Sequence, residues 1–127
     1  MIMDIEKQIE YWKRNGKEDF AAAKSLLEKG HFRHCLFFAH LAIEKMLKAH
    51  VTRKTNDIPP RTHNLLRLAE IADLKLDPEQ QQFLREFGMY QLEGRYPDSE
   101  ESELPSSLVR EEISRAERLL LWLKRQL

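Results

Sequence analysis

AAAKSLLEKGHFRHCLFFAHLAIEKMLKAHV, residues 21–51, holds the end of one helix, a turn and most of a second helix, and the rest of the chain is read outward from it. On its N-terminal side, Ile5, Ile9, Trp12, Phe20, Ala23 and Leu27 recur at three- and four-residue steps. That spacing predicts a long helix from Asp4 to Glu28 with one face turned to a core, ended by Gly30. On its C-terminal side, Phe32, Leu36, Ala39, Ile43, Met46, Leu47 and Val51 are joined by Phe37, Phe38 and Leu41. An apolar stripe this wide exceeds a single packing seam, so the second helix, His31 to Arg53, is expected to be central and the most buried.

Beyond it, TNDIPPRTH at 55–63 breaks the pattern, because two prolines remove backbone donors and push the preceding residue into extended backbone. Leu65, Leu68, Ala69 and Ala72 predict a short third helix after Thr62. Asp77-Pro78 combines a capping carboxylate with a first-turn proline and opens a fourth helix that turns Phe83, Leu84 and Phe87 inward and ends near Tyr90. GRYPDSEESELPSS at 94–107 is expected to be an exposed acidic loop. Leu108, Val109, Ile113, Ala116, Leu120, Leu123 and Leu127 then mark a fifth helix. No alternating strand pattern and no repeat competes, so the fold class is all-α, one domain over residues 1–127.

The 127 residues are 42% apolar and 33% charged with few glycines and prolines, which suits a helical domain with a charged surface. Apolar runs are short and flanked by charge, and MIMDIEKQ lacks the basic-then-apolar order of a signal peptide, so a cytoplasmic location is expected. Cys35 is the single cysteine, among apolar neighbours, and reads as a buried small hydrophobe. The net charge is zero but unevenly placed: residues 31–67 hold seven Lys or Arg against two acids, residues 68–104 three against ten. Such an arrangement suits a second copy of the chain, or a positive pocket for a phosphate-bearing ligand, better than general coating of nucleic acid.

The segments 21–51, THNLLRLAE at 62–70 and GRYPD at 94–98 together resemble the HEPN family. The likeness rests on a small residue and Leu late in the first helix, a glycine-plus-aromatic turn, and the A-x-E-K-x-L-K-A run from Ala42 to Ala49. It implies a compact up-and-down helical bundle, frequent homodimers, nucleotide binding, and frequent pairing with a small nucleotidyltransferase partner, often as a toxin–antitoxin couple. Catalytic members of this family carry an Arg, four to six residues, then a His near the last helix, where the pair would serve RNA cleavage. Here no His follows His63, so Arg95 has no downstream partner and no catalytic residue is assigned. Arg33 and His40 satisfy the spacing numerically, but in the second helix, where the family does not place it.

Four residues remain as candidate ligand contacts. Lys48 lies one turn from Glu44, which reads either as a helix salt bridge or as one wall of a phosphate pocket with Lys45 nearby. His63, beside Arg61, is expected to open the third helix, where backbone N–H groups favour an anion, or simply to begin that helix. Arg95 could grip a phosphate bidentately while Tyr96 stacks on a base, or Tyr96 only pins its loop. The five histidines at 31, 34, 40, 50 and 63 lack the carboxylate or thiol spacing of a metal site, and the scattered glycines form no phosphate-cradling loop, so neither metal nor cofactor is expected. The readings in hand are a module that binds a nucleotide or docks a nucleotidyltransferase, a ribonuclease toxin of the same fold, and a purely structural helical dimerisation protein.

Overall fold

A computed structural model describes residues 4–90 and 104–127. Its helices are α1 (Ile5–Glu28), α2 (Phe32–Thr55), α3 (Leu65–Ile71), α4 (Pro78–Phe87), which runs into a 3-10 turn (Gly88–Tyr90), and α5 (Ser106–Gln126). The all-α bundle read from the sequence is the fold, and the helix limits fall within a few residues of those expected. Local chemistry sets those limits. The Asp4 carboxylate caps α1 by accepting from Lys7 N–H, and Asp77 with Gln80 forms a reciprocal capping box at α4, with Pro78 in its first turn.

The turn after α1 is a Schellman motif: His31 N–H donates to Leu26 O at 2.9 Å and Gly30 N–H to Leu27 O at 3.1 Å. It requires φ of +77° at Gly30, a conformation glycine adopts without a Cβ penalty. Three residues thus reverse the chain, and α2 runs back along α1. The antiparallel pair is tied by Arg53–Glu6 at 2.7 Å near one end and Lys45–Asp19 at 2.6 Å further along. Between these pairs Gly16 lets the two backbones close up, since a Cβ there would stand 3.2 Å from the Ala42 carbonyl oxygen.

α2 is the axis of the molecule, as its wide apolar stripe implied. Leu36, Ile43, Leu47 and Val51 are sealed from solvent and join Leu65 and Leu68 of α3, Leu84 and Phe87 of α4, and Val109 and Leu123 of α5 in one core. Each such side chain contributes about 1.5–3 kcal/mol by leaving water. Phe83, Phe87 and Tyr90 stack in sequence at 4.9 Å spacings, and the Arg115 guanidinium from α5 lies 4.7 Å over Phe83. Replacing Gly16 by valine would force a branched side chain against the α2 backbone. We expect Gly16→Val to lower unfolding free energy by about 1–3 kcal/mol in urea titration, while a valine at exposed Lys17 leaves it nearly unchanged.

Candidate functional site

Inside this apolar axis, α2 carries a row of polar residues at every fourth position: His40, Glu44, Lys48 and Thr52, all buried. A four-residue step keeps side chains on one helix face, so the row is a continuous polar ridge through the core. Glu44 is its centre. One carboxylate oxygen, Oε2, accepts from Lys48 Nζ at 3.0 Å; the other, Oε1, accepts from His63 Nδ1–H at 2.9 Å and lies 3.8 Å from His40 Nδ1. Thr52 Oγ1 donates to the Lys48 carbonyl at 2.8 Å.

Each neighbouring element adds a wall. From α1, the Trp12 ring lies 5.5 Å from Lys48 Nζ, a cation–π contact. From α4, Phe87 stacks on His40 with the rings 7° from parallel. The 56–64 connection brings His63, whose side chain is 44% exposed and forms the solvent-facing edge of the cluster. Two polar groups are left over: both His40 ring nitrogens and Trp12 Nε1 are buried without a hydrogen-bond partner among the described residues. Burial lowers the His40 pKa below its usual 6.5, partly offset by the Glu44 carboxylate, so this imidazole is neutral near pH 7.

Lys48 and His63 of the four candidate residues therefore converge on a single carboxylate. The Glu44–Lys48 pair is the expected helix ion pair, but it is buried, where its charges are far more costly to separate than on a surface. His63 precedes α3 rather than opening it: Asn64 is the N-cap, its side chain accepting from Arg67 N–H, and His63 turns back to α2. Arg95 and Tyr96 lie outside the described residues. His40 and Trp12 were not among the candidates; the four-residue polar step along an otherwise apolar helix was the signal for the former, and nothing in the sequence marked the indole as the cover on Lys48. Cys35 is fully buried and its thiol is pushed up to about 11, the inert role its neighbours implied. Among the described residues no group of His, Cys, Asp and Glu is arranged to hold a metal ion, and no helix is long and apolar enough to cross a membrane.

The arrangement of the helices around this ridge can be compared with known proteins. The sequence model described as HEPN domain matches residues 9–126. The chain belongs to the HEPN family. Two solved structures share the HEPN bundle: TT1696 from Thermus thermophilus, with a TM-score of 0.74 and 20% identity over 94% of this chain and 98% of that one, and ST0689, an archaeal HEPN homologue, with a TM-score of 0.70 and 23% identity over 93% and 96%. At these identities the likeness carries the fold alone. No curated protein sequence matches this HEPN chain.

Two outcomes follow from the buried ridge. Glu44→Leu strands the Lys48 ammonium in the core and is expected to cost about 3–5 kcal/mol, whereas Glu44→Leu/Lys48→Met removes both charges and costs clearly less than the single change, a non-additivity read directly from denaturation midpoints. His50 is also buried, its Nε2–H donating to the Leu123 carbonyl at 2.8 Å, and burial lowers its pKa below 6.5, partly offset by that hydrogen bond. With His40 and His50 both depressed, the unfolded chain binds more protons as pH falls below about 6.5, so stability decreases, each group contributing up to about 1.4 kcal/mol per pH unit. A urea series from pH 7.5 to 5 should show this decline, and His40→Leu/His50→Gln should flatten it.

Proposed function

We propose that this HEPN chain is a binding module that takes a phosphate-bearing nucleotide and pairs with a nucleotidyltransferase partner, with a toxin–antitoxin couple as its setting and a homodimer as its own state. The observation that carries a binding role over RNA cleavage is the burial of His40. It is the one histidine that stands at ribonuclease spacing from an arginine, and it is fully enclosed, neutral near pH 7 and stacked on Phe87. A general acid or base must come within hydrogen-bond reach of the substrate, and a sealed imidazole does not.

Support for a ligand comes from the edge of the cluster. His63 presents its ring to solvent from a proline-fixed connection and is held in place by the buried Glu44, so the solvent-facing group is preorganised at no further entropic cost. Lys48 sits behind it with its charge met by Glu44, which makes it a support for His63 and Glu44 rather than the group that grips phosphate. In this reading direct phosphate and base contacts fall to His63, with Arg95 and Tyr96 contributed by the 91–103 segment.

Calorimetric titration with ATP, with and without magnesium, tests the proposal. Micromolar binding is expected, weakened at least tenfold by Arg95→Ala and by His63→Ala, with a mixed RNA pool left intact under the same conditions. A flat trace for the unaltered protein overturns the nucleotide reading, and RNA cleavage abolished by Arg95→Ala overturns the non-catalytic one.

A further inference from the structure

A groove of about 580 Å³ runs between α1 and α5 and shares no residue with the Glu44 cluster. Its apolar floor is formed by Phe20, Met46, Leu120 and Leu121, and Leu121 is 51% exposed, one of the most open large apolar side chains among the described residues. A leucine left this open on a helix otherwise packed against the core marks a surface that gains by being covered.

The charge around the floor is one-sided once the internal pairs are removed. Glu10 is engaged by Lys13 at 3.3 Å and Glu117 by Lys24 at 2.9 Å. Arg14, Lys17 and Lys124 line the same groove, are exposed, and meet no carboxylate within ion-pair distance among the described residues. Three uncommitted cations thus border an apolar trough. The chain as a whole has zero net charge, so this is a local concentration of positive potential and not the overspill of a basic protein.

The observations select among occupants. A second copy meeting this face about a two-fold axis would set Arg14, Lys17 and Lys124 against their own counterparts, with both groove carboxylates already engaged. A single-stranded nucleic acid needs ring faces to stack its bases on, and Phe20, the aromatic residue of the lining, is only 9% exposed. An amphipathic helix with an apolar stripe and flanking carboxylates meets both the floor and the rim. The α1 wall from Glu10 to Phe20 extends about 15 Å at 1.5 Å per residue, room for roughly three turns of such a helix.

We propose that the α1–α5 groove is a docking site for an acidic amphipathic helix of a partner protein, seated on Leu121 and Phe20 and held at its edges by Arg14, Lys17 and Lys124. This deepens the partner-docking half of the function proposed above; its failure would leave the nucleotide half, which the ATP titration judges, untouched.

The test uses fluorescein-labelled helical peptides of about 14 residues, with leucines at i, i+3, i+4 and i+7 and glutamates on the flanks. A scrambled peptide of the same composition and a version with lysine in place of glutamate are the controls, and fluorescence anisotropy against the full chain is the readout. The acidic amphipathic peptide should bind at micromolar concentration, the scrambled and lysine forms at least tenfold more weakly. Leu121→Ser should weaken binding, and Arg14→Glu/Lys17→Glu/Lys124→Glu, all on exposed positions, should lose the glutamate peptide and gain the lysine one. That exchange of partner is an outcome a misfolded variant cannot produce. Absence of binding, equal affinity for the scrambled peptide, tighter binding of a single-stranded RNA of similar length, or a dimer in sedimentation that Leu121→Ser dissociates would each overturn the proposal.

Discussion

Taking a carboxylate out of water costs several kcal/mol unless its lone pairs are filled and its charge is met, and the Glu44 side chain, 5% exposed, satisfies that requirement through three different segments of the chain. Lys48 comes from the next turn of α2, His63 from the 56–64 connection, and the Trp12 cover from α1. An apolar core tolerates a helix rotated or slid by a fraction of a turn, because one methyl group replaces another at small cost. A buried ion pair with a third polar partner does not, since a shift of 1 Å or so separates the hydrogen bonds and leaves charge uncompensated. The polar ridge of α2 therefore fixes the register of its neighbours, while the surrounding leucines and phenylalanines supply most of the stabilising free energy.

The same ridge separates holding from presenting. Glu44 and Lys48 satisfy one another inside the bundle, so their charges cancel within the protein. What reaches solvent from the cluster is the His63 ring, on a connection shaped by Pro59 and Pro60 and anchored at its end by the Asn64 cap. The cations that face outward without a carboxylate partner among the described residues lie elsewhere, along α1 and the last turns of α5. Two chemically different surfaces are thus served by one core helix: a histidine edge fastened from within, and an apolar trough with a positive rim.

Most of the architecture was legible in residues 21–51 and their continuations. Hydrophobic spacing placed α1, α2 and α5, and the Asp77-Pro78 pair placed the start of α4, because caps and apolar faces are local properties of the chain. Membership of the HEPN family was carried by the run Ala42–Ala49, within which Glu44 and Lys48 stand out. The site was only half legible. Periodicity shows that Lys48 follows Glu44 by one turn, but whether that pair lies in water or in the core depends on what packs over it, and the cover comes from Trp12 and His63, distant in sequence. The α1–α5 groove was not legible at all: Arg14, Lys17 and Lys124 look like ordinary surface charge until the fold brings the two helices side by side around Leu121.

The three-residue reversal at Gly30 also has a meaning for how the molecule assembles. Closing so short a loop costs little chain entropy, and the pairs it brings together, from Leu26 and His31 outward to Glu6 and Arg53, are joined step by step as α1 and α2 zip along one another. The contacts of α5 are of another kind, Lys24 meeting Glu117 across 93 residues of chain. Low sequence separation favours early formation, so the α1–α2 hairpin is the natural folding nucleus, and α5 is the element that closes over it late in the transition.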